Sequence, residues 1–236
     1  MNRSRAQTRW LRRAKYAALV TAILALTLLL DQTVWELLAT DDKRALERRD
    51  WYQALRQVGY LPAWLVIAAG FMLADRARPP TPEGLWVAPT RPARPWHHRG
   101  GLIALSSTLS GLAAEVAKMV LSRERPSPVT GTIDYHTLFS GFAQGPAFEH
   151  GLGGPSSHAA TAWGGVLMVG FLIPASRWAF FPIAAGCALT RLMAGAHALS
   201  GVAAGTLIAV GIAGWLWRTG RGPRRGPADG ITGPVV

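Results

Sequence analysis

Six apolar blocks, each set off by charge or by proline, constrain this chain more than any other feature of it. They cover residues 16–38, 60–74, 101–121, 159–174, 178–189 and 198–217. None shows the apolar–polar alternation of a half-buried strand, so each reads as a helix. A helix needs about 20 residues to cross the hydrocarbon core of a bilayer. Several blocks reach that length only if polar ends such as Asp31, Lys118 and Arg191 are included. Polar groups at such a depth must be paired or face an aqueous cavity. The expectation is therefore an all-α fold, a bundle of six transmembrane helices without internal repeat.

Composition points the same way. Half of the residues are apolar and only 16% are charged, against about 25% in an ordinary soluble domain. The balance is basic, with 25 Lys and Arg against 13 Asp and Glu. Such an excess suits nucleic acid or anionic lipid. Here the basic residues lie mostly between apolar blocks, which favours membrane topology and argues against nucleic acid as a partner. Several of the ten Trp flank the blocks, as an interfacial belt requires. The lone cysteine, Cys187, excludes an intrachain disulfide.

With the N-terminus inside, most Lys and Arg fall on inner segments, so both termini are expected in the cytoplasm. The first block after its basic stretch reads as a retained signal anchor rather than a cleaved signal peptide. The domain reading is a basic cytoplasmic N-terminus over 1–15, a six-helix domain over 16–217 and a disordered cytoplasmic tail over 218–236. The Pro-rich segment 75–100 reads as an extended cytoplasmic link.

This topology brings three polar segments to the outer face. Residues 118–126 read KMVLSRERP. Lys118 and Arg125 are seven apart, about two helical turns, so both are expected on one helical face, with Pro126 ending the helix. Residues 154–159 read GPSSHA. Ser156 or Ser157 can cap the fourth block, and the helix N-terminus offers N–H groups to an anion, with His158 in the first turn. Residues 190–205 read TRLMAGAHALSGVAAG, with Arg191 and His197 six apart. Each segment alone has a plainer reading as snorkelling cations, a serine cap or interfacial histidines. Together, three cations suit a phosphate, and two histidines supply a nucleophile or base and a proton donor.

The three segments resemble the signature motifs of the type 2 phosphatidic acid phosphatase family: Lys, six residues, Arg-Pro; Pro-Ser-Gly-His; and Ser-Arg, five residues, His, three residues, Asp. Lys118, Arg125 and Pro126 complete the first. Pro155, Ser156, Ser157 and His158 match the second with Ser157 for Gly. Thr190, Arg191 and His197 match the third with Thr190 for Ser and Gly201 for Asp. The resemblance implies the family's six-helix plan and a lipid-phosphate phosphatase in a membrane, a bacterial inner membrane from size and plan, with its site on the outer face. It implies a nucleophilic His197 that becomes a phosphohistidine and a proton donor in His158. Lys118, Arg125 and Arg191 would cradle the phosphoryl oxygens, helped by Ser156 and an N–H near Ser157, with no metal or other cofactor. Substrates would be phosphatidic acid, phosphatidylglycerol phosphate, a polyprenyl diphosphate or a lipid A phosphate.

Gly201 departs most. The family's Asp orients the nucleophilic His, and glycine has no side chain to do so. Ser200, Asp134, Glu149 or a backbone carbonyl are the candidates to replace it, while Glu115, three residues before Lys118, is expected to pair with that lysine. The alternative is a lipid-binding protein that kept the cradle and lost turnover. A transporter, marked by Glu115 and Lys118, fits less well because no internal symmetry is present.

Overall fold

The structure, a computed structural model, describes residues 5–76, 99–125 and 151–220. Pro126, Asp134, Glu149, most of the 75–100 link and the tail beyond Gly220 lie outside the described residues. Among the described residues eight α-helices follow in order: α1 (Arg5–Leu38), α2 (Lys43–Glu47), α3 (Asp50–Gln57), α4 (Leu61–Arg76), α5 (Arg99–Leu121), α6 (Ser157–Leu172), α7 (Arg177–Met193) and α8 (Leu199–Gly220). All six apolar blocks are helical, and among the described residues the only bridge is an isolated antiparallel pair, Glu124 with Leu152. The basic stretch from Arg5 runs unbroken into the first apolar block.

Among the described residues three helical stretches, Trp10–Leu38, Arg99–Leu121 and Leu199–Thr219, are long and apolar enough to cross a membrane. A fourth crossing arises if α3 and α4, bent by 63°, count as one broken span. These stand against the six that the blocks predict. Two of the six blocks form shorter helices: α6 has 16 residues, about 24 Å at 1.5 Å per residue, while the hydrocarbon core is about 30 Å thick. α7 has 17 residues, begins at Arg177, contains Pro182 and ends beyond Arg191.

α6 is apolar all round and lies at the centre, packed against α5, α7 and α8. Small residues let the backbones approach. Ser106, Ser107, Ser110, Gly111 and Ala114 are buried along α5, and Ser106 Oγ donates to Gly164 O of α6 at 2.6 Å. Trp64 of α4 lies over Gly165, where a side chain would collide with its indole. α1 packs mainly on α8 and turns most of its length outward, with Leu29 80% and Leu37 78% exposed. That outward apolar face, with Trp178 at 89% exposure, suits lipid contact.

The break between α3 and α4 brings an unforeseen segment inward. A Cβ on Gly59 would lie 2.8 Å from His158 Cβ and 3.0 Å from Cys187 Sγ, so only glycine admits the corner there. Residues 43–57, which carry no apolar block, form two short helices whose Tyr52 is fully buried.

Candidate active site

Two helix N-termini and two chain turns build the site. Ser156 caps α6, its Oγ accepting from Ala159 N at 3.4 Å. The first-turn N–H groups of Ser157 and His158 have no helical acceptor, and they add to the positive end of the helix dipole. α7 ends where Gly195 takes a left-handed conformation, φ +60°, and donates to Leu192 O at 2.9 Å. The chain then folds back, so that Ala196 N and His197 N both reach Arg191 O, at 3.1 and 3.4 Å. This turn fixes His197 beside Arg191, six residues earlier.

The first motif differs from its expected form. α5 stops at Leu121, and Ser122 is left-handed with φ 48°. Lys118 and Arg125 therefore do not share a helical face. Ser122 N donates to Lys118 O and Ser122 Oγ to Met119 O, both at 2.9 Å, which closes the helix end. Residues 123–125 then run extended against 151–153: Arg125 N donates to Gly151 O at 2.9 Å and Gly153 N to Arg123 O at 2.7 Å. Arg125 Nε also donates to Leu152 O at 3.1 Å. Pairing with the segment before α6, rather than helical spacing, brings Arg125 to the second motif.

The second and third motifs are tied directly. Ser156 N donates to Gly201 O at 2.9 Å. His197 Nδ1 lies 3.1 Å from Gly154 O and 3.4 Å from Gly153 O. A carbonyl only accepts, so Nδ1 carries the proton and Nε2 keeps its lone pair. Ser200 is engaged elsewhere: its N–H and Oγ donate to Asp31 at 2.7 and 2.5 Å, and Arg123 pairs with Asp31 at 2.6 Å and also bonds Ser200 Oγ. Thr190 is buried and donates back to Cys187 O at 2.6 Å, a bond within its own helix.

The ionisable groups share one electrostatic neighbourhood. His197 is buried at 2% exposure, and burial, then the charges of Arg191, Lys118 and Arg125, hold its pKa well below the usual histidine value. The imidazole is thus neutral at physiological pH. Arg191, Arg56 and Lys118 also act on His158. Lys118 is buried and paired with Glu115 at 2.6 Å, as its spacing predicts. Arg191 is buried with no carboxylate partner among the described residues, and its Nε has no hydrogen-bond partner. His158 Nε2 and Arg56 Nε share that condition. Buried nitrogens in that condition have hydrogen-bonding capacity to spare, which is what an anion would draw on.

Sequence reasoning missed Arg56 and Tyr60. The Tyr60 ring meets His158 edge-on at 4.7 Å, and Arg56 lies 5.7 Å from the Tyr60 ring centre. Neither belongs to a motif, and Arg56 lies outside the apolar blocks. The one available signal was the spacing of Arg56 and Gly59 ahead of Tyr60, which opens the second block. A cavity of about 540 Å³ adjoins the site, with Trp35, Glu36, Asp41, Lys43 and Arg125 on its wall.

Apolar helices that bring two histidines and a set of cations together, two of the cations buried, fit the class of membrane proteins. The PAP2 superfamily profile matches residues 99–224, more than half of the chain, and the chain belongs to the PAP2 superfamily. Membership supports a phosphatase-type hydrolytic function, and the apolar helices support a membrane protein. Neither curated proteins nor solved structures yield a match.

Proposed function

We propose that this protein is a metal-independent phosphatase of a lipid phosphate, working through a phosphohistidine on His197. The observation that carries this reading is the buried Arg191, unpaired by any carboxylate among the described residues and acting on both His158 and His197. A buried guanidinium is costly unless an anion meets it. A phosphoryl group supplies that anion, and Lys118 and Arg125 add charge on its other oxygens.

In the first step His197 Nε2 attacks phosphorus. A P–N bond forms as the P–O bond to the lipid alkoxide breaks, and the alkoxide takes a proton from His158. In the second step water gives its proton to His158, its oxygen bonds phosphorus, and the P–N bond breaks to free phosphate and His197. Splitting the hydrolysis in this way replaces one hard step by two easier ones. Ser156 and the N–H groups of Ser157 and His158 assist at the dipole end of α6. An amphiphilic substrate fits a site framed by membrane-length helices: phosphatidic acid, phosphatidylglycerol phosphate, a polyprenyl diphosphate or a lipid A phosphate. The arrangement proposed in the cell is a bacterial inner membrane with both termini cytoplasmic and the site facing outward.

The test is phosphate release from these four lipids by the purified protein, with acid-labile radiolabel trapped on the chain from a labelled substrate. His197→Ala is expected to abolish both. Parent-like release by that variant would remove His197 from the role of nucleophile.

A further inference from the structure

We propose that Gly201 is a positioning residue because it lacks a side chain: it lets the Gly153–Gly154 backbone lie against α8, where the Gly154 carbonyl orients His197 in place of a carboxylate. This rests on the phosphatase reading above, and it explains how a family member keeps its nucleophile aligned without the family's Asp.

The geometry leaves little room for any other arrangement. A Cβ on Gly201 would lie 2.8 Å from Gly154 O and 3.0 Å from Gly153 O, nearer than real Cβ atoms tolerate for the first and at their limit for the second. One turn later along α8, a Cβ on Gly205 would collide with Ser156 O. Two glycines four apart thus form a groove in which backbone 153–156 lies. The Ser156 N to Gly201 O bond of 2.9 Å holds it there. On the far side the same dipeptide is wedged against the cradle: a Cβ on Gly153 would lie 2.6 Å from Arg125 Cα, and one on Gly154 would lie 3.2 Å from Lys118 Cα. Side chains are excluded on both faces, so the carbonyls are what His197 meets. Among the described residues no carboxylate bonds the ring, and the nearby Ser200 hydroxyl is spent on Asp31.

The chemistry follows from the acceptor. A carbonyl fixes the tautomer with Nδ1 protonated and Nε2 aimed outward, as a carboxylate would. It carries no full negative charge, so it stabilises the cationic form of the ring less. The exchange keeps orientation and gives up part of the charge stabilisation.

The test uses full-length protein labelled with ¹⁵N-histidine in detergent, with the His197 signals assigned by their loss in His197→Gln. The parent is expected to show His197 as the Nδ1–H tautomer. An Nε2–H tautomer would overturn the proposal, and this reading needs neither a variant nor turnover. A parent that hydrolyses none of the four lipids but shows the Nδ1–H tautomer would sink the phosphatase reading and leave the orienting contact standing. Gly201→Ala is expected to lower kcat by about 10- to 100-fold, the range for loss of an orienting partner, with KM within about 3-fold. Its His197 signal is expected to move toward mixed tautomers. Gly201→Asp, though it restores the family's residue, is expected to be slower than the parent because the carboxylate displaces the dipeptide. A faster Gly201→Asp, or a Gly201→Ala unchanged in both kcat and ring signal, would overturn the proposal.

Discussion

Helices α6 and α8 both begin at the polar end of the bundle, yet their N-termini are treated in opposite ways. α6 is capped by a neutral hydroxyl, Ser156, and has His158 in its first turn. α8 is capped by a charge: Asp31, seven residues before the end of α1, accepts the Ser200 N–H at 2.7 Å and is itself paired with Arg123. A helix N-terminus attracts negative charge. At α8 that demand is met permanently from within the fold, so this end is structural. At α6 no acidic residue stands in the first turn, and under the proposed function the substrate's phosphate meets that demand. The same sorting holds for the arginines: Arg123 has Asp31, while Arg191 has no carboxylate among the described residues. The lesson is that cations near a phosphatase motif are not interchangeable. What separates a cradle from a strut is whether the countercharge belongs to the protein.

The sharpest way to break this comparison is to remove the internal countercharge. Asp31→Ala takes the carboxylate away from the buried Arg123 and uncaps α8, and is expected to cost about 3–5 kcal/mol of stability, read by chemical denaturation in detergent. Denaturation within about 1 kcal/mol of the parent would show that α1 is not held by this pair. The mirror experiment is Arg191→Ala. It is expected to lower kcat by about 10²- to 10³-fold, the scale for one donor to a developing charge. Its stability should equal or exceed the parent's, because a buried cation with no carboxylate partner among the described residues is gone. Loss of stability at Arg191 comparable to that at Asp31 would erase the distinction. Smaller again is Ser156→Ala, expected to cost about 1 kcal/mol as a lost N-cap. If it costs nothing, the α6 N-terminus is held by the Ser156 N to Gly201 O bond rather than by the hydroxyl.

The sequence made some of this plain. Apolar blocks predict every long helix, because lipid and core alike demand continuous apolar runs. The Glu115–Lys118 pair follows from helical spacing alone. The motifs single out His158, Arg191 and His197, and the fold brings their electrostatic fields together. Other parts were hidden because they depend on contacts distant in the chain. Arg125 reaches the site by pairing with residues 151–153, not by the two helical turns that its spacing predicts. Arg56 comes in on a bent helix pair whose corner is permitted by Gly59. Gly201 reads in sequence as a missing carboxylate, and only the packed backbone opposite it shows what stands in the gap. The number of spans is hidden for a related reason: an apolar run shows what a helix can touch, not whether its length matches a bilayer.

The last expected effect is a slope with pH, and it belongs to the site end alone. His197 is held well below the ordinary histidine pKa, chiefly by burial. In the unfolded chain that histidine titrates near 6.5. Below about pH 6.5 the unfolded state therefore binds a proton that the folded state does not, and stability rises with pH through that window. Above it both forms are neutral and the contribution is flat. Comparing chemical denaturation of the parent and His197→Gln at intervals from pH 5 to 8 isolates the term, since glutamine keeps a donor and cannot titrate. The parent's stability should fall faster than the variant's on acidification, and the two curves should run parallel above about pH 7. If the curves stay parallel throughout, His197 is not the desolvated group that its 2% exposure implies, and the carbonyl of Gly154 is facing a ring open to water.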